Sequence, residues 1–292
     1  MIYVLKVAYD GAFFVGVQRQ PYKDTVMGDL ETLLTRYFSE PIKTSVAGRT
    51  DTGVHALGQV IAFQSEQIHD LEKLTHSLNA MARSPLAVLE SALLDDESAF
   101  HPRHCALSRT YQYLVVDDCS YSQRLLWRGR AWTVGPRLDM AAMNQAAGHF
   151  VGTHDFTTYS YQPDEDMARV REVTDFSIRE EAIPEVFSGS GPTGRLLRIE
   201  ITANGFLRRM VRALTSELVR IGAAIETAES AAEKLAACDP ELGPPPAPAH
   251  GLYFKSAFYS PDPFELGKTV GRYRLARPST SLNFQDQSGR LN

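Results

Sequence analysis

Cysteine is scarce in this chain. Cys105, Cys119 and Cys238 are an odd number with no paired spacing. A disulfide framework and a thiolate zinc site are therefore excluded, and a reducing, cytoplasmic setting is expected. Long apolar runs are missing too, since no stretch approaches the roughly 18 residues of a membrane span. The opening Met1-Ile2-Tyr3-Val4-Leu5-Lys6-Val7 lacks the basic-then-apolar layout expected of a secretory leader. Positive charge is not in excess: the net charge is −5. The chain as a whole thus has no electrostatic pull on nucleic acid, and only a local basic surface can supply one. What is present is ordinary for a packed protein. Hydrophobic residues are 43% and charged residues 22%, which excludes disorder for most of the chain. Its 292 residues correspond to about two domains.

The apolar pattern divides into two similar series. Ile2, Val4, Leu5 and Val7 read as a buried strand stopped at Tyr9-Asp10-Gly11. Thr25 is placed to cap a helix in which Met27, Leu30, Leu33, Leu34 and Phe38 recur at helical spacing. Strands are expected at Thr44–Ala47, Gln59–Phe63 and Leu86–Leu93, with a helix over Asp70–Met81. The second series has strands at Thr110–Val116, Arg171–Arg179, Leu196–Ala203 and Gly251–Tyr259, and helices at Asp139–Phe150 and Phe206–Ile221. Trp127–Val134 extends or pairs with the first of these strands. Each series reads β-α-β-β-α-β, so the expected fold is α+β, two ferredoxin-like halves with antiparallel sheets joined into one. The halves are expected at 1–105 and 106–264, followed by a polar tail at 265–292. Pro240–Ala249, with five prolines, is expected to be an extended loop.

The densest chemical signal is Gly48-Arg49-Thr50-Asp51-Thr52-Gly53-Val54-His55 between two strands. Glycines on both sides allow a tight turn that presents Asp51 at a cleft mouth. Arg49 can pair with its charge, and an ionised aspartate can act as nucleophile or base. The plainer reading is a β-turn in which Asp51 caps amides and Arg49 is solvated. His55 reads as a structural histidine rather than a base. His101 and His104 are three apart, but Pro102 between them argues against a helix and a zinc site.

Strand alternation puts Arg109, Tyr111 and Tyr113 on one face. That face is either a surface for stacking a nucleobase or part of the core. From Arg195 to Arg220 there are six arginines and two glutamates, the most basic stretch of the chain. Arg208, Arg209, Arg212 and Arg220 lie off the apolar stripe of their helix, and Arg124, Arg128 and Arg130 make a second cluster. Arginine suits phosphate and carboxylate binding, although a charged helix face is often only solvated. His154-Asp155 reads as a turn or cap.

Together these segments resemble the tRNA pseudouridine synthase A family, from about Tyr3 to Tyr259. Tyr9-Asp10-Gly11 with Gly16 and Gln18 is similar to its N-terminal loop, and Gly48 to Ala56 to its signature loop. Ser108-Arg109-Thr110-Tyr111-Gln112-Tyr113, Gly152 to Phe156, Phe206-Leu207 with Met210-Val211-Arg212, and Ala249 to Tyr253 follow in the family's order. The resemblance implies a cofactor-free isomerase without a metal, acting as a homodimer on the 3′ side of the tRNA anticodon stem-loop. It makes Asp51 the catalytic carboxylate, Tyr111 the ring stacked on the target base, and Arg212 the partner of Asp51, with Arg49 also at the substrate. Val17 stands where the family usually has Trp, Arg83-Ser84 near an expected Leu-Pro turn, Ser216 for a helix glycine, and Arg208-Arg209 for more neutral residues. Two other readings compete. One is a non-catalytic RNA-binding protein on the same fold, which gains nothing from a carboxylate near phosphates. The other is a nucleoside hydrolase, which needs a second carboxylate, for which the sequence offers Asp155.

Overall fold

The computed structural model describes residues 1–161, 168–188 and 194–267. Most of the expected polar tail, and the acidic run Asp164-Glu165-Asp166, lie outside the described residues.

The first half contains β1 (Ile2–Tyr9), α1 (Val26–Phe38), β2 (Thr44–Val46), β3 (His55–Gln64), α2 (Leu71–Met81) and β4 (Leu86–Leu94). Both helices start where a side chain accepts a free amide: Thr25 takes Gly28 N–H and Asp70 takes Lys73 N–H. β1 lies between β3 and β4, antiparallel to each, and β2 pairs with the far end of β3. The order β4-β1-β3-β2 is that of a ferredoxin-like unit. Its core is aromatic. Tyr3 and Phe63 stack at 4.9 Å, and Phe38 of α1 meets both edge-on.

The second half holds β5 (Ser108–Asp117), α3 (Tyr121–Leu126), β6 (Trp132–Thr133), α4 (Met140–Phe150), β7 (Gly152–Asp155), β8 (Val170–Glu181), β9 (Arg195–Ala203), α5 (Met210–Gly222), α6 (Ala228–Ala237) and β10 (Leu252–Phe258). A short α7 (Pro263–Gly267) follows. The order β10-β5-β9-β8 repeats that of the first half, with β7 added at the edge. β6 pairs parallel with the end of β5, so part of Trp127–Val134 does pair with it, while 127–131 forms turns.

The two halves share one ten-stranded sheet. Their seam is a two-residue parallel pairing, Tyr253↔His55 and Phe254↔Ala56, at the start of β3. The Asp51 loop ends where this seam begins.

Several elements differ from the sequence expectation. Gly152–Asp155 is a strand, not a turn, because its backbone pairs with β8. α5 begins at Met210 rather than Phe206, because Arg209 takes a left-handed backbone (φ +59°). α3 and α6 were not expected. Half of the six arginines in the basic stretch pair with carboxylates outside the Asp51 loop. Arg195 clamps the fully buried Asp117 through Nε (3.2 Å) and Nη2 (2.5 Å), Arg198 pairs with Glu181, and Arg220 with Glu226. Glu217 is fully buried on α5 against Lys234, and burial raises its carboxyl above the usual carboxylate range.

Candidate active site

The loop between β2 and β3 is held at its inner atoms and leaves its tip outward. Ala47 N–H donates to Val60 O (2.9 Å), Gln59 Nε2 to Gly48 O (2.9 Å), and Val54 N–H to Asp51 O (3.1 Å). The Thr50 hydroxyl shares a 2.7 Å hydrogen bond with Tyr9 Oη in the core. Arg109 donates from Nε and Nη2 to Ala47 O, and from Nη1 to Ala106 O and Asn204 O. Its guanidinium is therefore a clamp on the loop and not a surface for a base, which corrects one of the readings of that strand face. Tyr113 is core: fully buried, with its hydroxyl donating to Pro248 O (2.7 Å).

The N-terminal loop passes directly beneath Asp51. Val17 is fully buried and its amide donates to Thr50 O (3.2 Å), so this position braces the loop and makes no surface contact. Gly16 has φ +84°, and a Cβ there would sit 3.0 Å from Thr50 O and 3.6 Å from the Asp51 carbonyl carbon. A side chain at Gly16 would be strained in its backbone and would push on the loop. Gly16→Ala is expected to cost about 1–3 kcal/mol of stability and to lower single-turnover activity by more than the loss of folded protein explains. Unchanged activity per folded molecule would show that the loop tolerates the shift.

Asp51 faces two guanidinium groups. Arg212 Nη1 donates to Asp51 Oδ2 at 3.2 Å, and Arg209 Nε lies 3.8 Å from the same oxygen. Arg212 is itself fixed: its Nε donates to Ala247 O (2.7 Å) and its carbonyl accepts Ala247 N–H (3.0 Å). The proline-rich 244–248 segment is thus a strap that aims Arg212. Both arginines stand at the N-terminus of α5, where the helix dipole also favours an anion. Arg49 does not pair with Asp51. Its side chain is exposed and meets no carboxylate among the described residues. The sequence pointed to Arg212 through the resemblance, and offered Arg209 as a candidate phosphate contact off the apolar stripe rather than as a neighbour of Asp51.

Tyr111 comes to the same place from β5. It is nearly buried, edge-on to Phe206 (5.0 Å) and Phe254 (5.2 Å). Its hydroxyl has no hydrogen-bond partner among the described residues. A Cβ on Gly48 would come within 3.4 Å of it. Burial pushes its pKa above the ordinary tyrosine value, and the Asp51 charge adds to the rise.

The other candidates have structural work. His55 is buried and stacked on Tyr253 (4.6 Å). Its Nδ1 accepts Gly11 N–H (3.1 Å), which leaves Nε2–H to donate to the carbonyls of Gly129 and His250. Burial lowers its pKa against the opposing pull of Asp10. His101 Nδ1 accepts the amides of Arg103 and His104 in a turn. Asp155 caps the following turn, accepting Thr157 N–H and Oγ1–H, so it is not a second carboxylate free for hydrolysis.

A carboxylate held by arginine at the junction of two ferredoxin-like halves, near a buried tyrosine, is the candidate active site. The sequence profile described as tRNA pseudouridine synthase matches residues 146–260. A tRNA pseudouridine synthase A of Maridesulfovibrio salexigens is 35% identical over 97% of this chain and 98% of its own. That of Roseobacter denitrificans is 33% identical over 92% and 99%. That of Halalkalibacterium halodurans is 36% identical over 85% and 89%. The chain belongs to the tRNA pseudouridine synthase A family.

Proposed function

We propose that the chain converts uridine to pseudouridine on the 3′ side of the tRNA anticodon stem-loop, as a cytoplasmic homodimer, with Asp51 as the catalytic carboxylate. One observation carries the reading. Asp51 is held by Arg212 at the junction of the two halves, where the buried Tyr111 also sits.

In this reaction the C1′–N1 bond breaks, the uracil turns, and C1′ bonds to C5. A carboxylate beneath the ribose can attack C1′ as the glycosidic bond breaks, or remove a sugar proton to give a glycal. Both routes use the Asp51 carboxylate, which the guanidinium groups of Arg212 and Arg209 face at 3.2 and 3.8 Å. The detached uracil must stay in place, and the Tyr111 ring can hold it by stacking. A paired base is out of reach, so the uridine must leave its helix first. The exposed Arg49, Arg128, Arg130 and Arg208 are the candidate contacts to RNA phosphates.

The test is one unmodified tRNA transcript assayed for both pseudouridine and free uracil. Pseudouridine without uracil is the expected result. Uracil alone would make the protein a hydrolase, and tight binding with neither product would make it a binding protein; each would overturn the reading.

A further inference from the structure

A cavity of about 180 Å3 is linked to Asp51 through Arg209, which lines it, and takes no part in the chemistry above. Tyr161 and Arg209 form one side of it and Pro244, Pro245 and Pro246 another. Tyr161 is 40% exposed, and its amide donates to Arg208 O (3.1 Å), which ties the ring to the start of α5.

Arg209 belongs to both the cavity and the catalytic centre. Its guanidinium carbon lies 4.1 Å from the centre of the Tyr161 ring, a cation over an aromatic face. Its Nε is buried without a hydrogen-bond partner, 3.8 Å from Asp51 Oδ2. A buried donor left unmade is costly, and catalytic hydrogen bonds are often long before substrate arrives. Its left-handed backbone is also unfavourable for any residue with a side chain.

We propose that Tyr161, Arg209 and the proline wall form a second nucleotide subsite, which takes a base flanking the target uridine of the same tRNA. The inference rests on the proposed function for the identity of its ligand. Its walls are a tyrosine ring and three prolines, a platform for the face of a base. Its cation suits the phosphate that such a base carries. Because Arg209 touches the cavity and Asp51 together, whatever fills the one lies next to whatever reacts at the other. Filling the subsite fixes the Arg209 plane against Tyr161, and Arg209 then serves as a positioning residue for the Asp51 carboxylate.

The experiment is a titration of unmodified tRNA against Tyr161→Ala, Tyr161→Phe and Arg209→Gly. It reads affinity by filter binding and pseudouridine by single turnover. One stacked base corresponds to about a tenfold change or more in affinity. Tyr161→Ala should weaken tRNA binding by about that factor while its saturated rate changes less, and Tyr161→Phe should restore both. Arg209→Gly keeps the left-handed backbone without strain, so it should fold, yet lose both affinity and saturated rate. Unchanged affinity in Tyr161→Ala, or equal losses in the alanine and phenylalanine variants, would overturn the subsite. If the wild-type protein makes no pseudouridine, the proposed function fails instead, and the affinity comparison still decides the subsite.

Discussion

Asp51→Asn should abolish pseudouridine formation while leaving the fold and tRNA affinity in place. The substitution keeps shape and removes charge. Apart from the Arg212 contact, the anchors of the loop do not use the carboxylate: they are the Ala47 amide and carbonyl, the Gly48 carbonyl, the Thr50 hydroxyl and carbonyl, and the Asp51 carbonyl. What changes is the neighbourhood of Arg212 and Arg209, which would face a neutral amide. An amide can neither attack C1′ nor remove a sugar proton. A single-turnover rate below about a thousandth of wild type corresponds to at least ~4 kcal/mol of lost transition-state stabilisation. Melting temperature and tRNA affinity should stay near wild type, because removing a negative charge close to phosphates costs no binding. A rate above about a thousandth of wild type would remove Asp51 from the chemistry.

The second large effect is expected at Tyr111, and there the alanine and phenylalanine variants should diverge. Phenylalanine preserves the edge-on contacts with Phe206 and Phe254 and deletes a hydroxyl that no described protein group uses. If the ring's task is to stack on uracil, Tyr111→Phe should keep activity within about tenfold of wild type. Tyr111→Ala loses the stack and also opens a hole in a buried site, at a cost of about 3–5 kcal/mol. Its rate must therefore be compared at a temperature where it is folded, and should fall by about a hundredfold or more. Burial raises the pKa of the wild-type hydroxyl, which makes it a weaker acid than an ordinary tyrosine. Equal losses in the two variants would mean that the hydroxyl makes a needed donation.

Much of this architecture was legible because its signals are local. Thr25 and Asp70 announce helices by accepting amides three residues on, and the apolar spacing of Leu30, Leu34 and Phe38 marks the buried face of α1. The two ferredoxin-like series followed from alternation and helical period alone. The tight turn around Asp51 was visible in its glycines. What was missed depends on distant or weak signals. α6 has a capping Thr227 and buried Ala228, Ala231 and Leu235, but alanine gives little contrast between its faces. The left-handed backbone at Arg209 breaks the helical register assumed from Phe206, so the arginine turns toward Asp51 instead of solvent. Arg109 was assigned to the right face, yet its acceptors, Ala47 O and Asn204 O, lie far off along the chain. Alternation predicts a direction, not a partner.

The seam between the halves has a consequence for how the protein is made. β10, whose Tyr253 and Phe254 pair with β3, is the last strand in sequence among the described residues. During synthesis the first half can fold early, with its own three-way pairing of β1, β3 and β4 complete. Until β10 emerges, the start of β3 presents open backbone groups to the solvent or to another chain. The same late strand supplies Phe254 against Tyr111, and the strap just before it fixes Arg212. A nascent or shortened chain that ends before residue 252 therefore carries the Asp51 loop without the β10 seam or Phe254 against Tyr111.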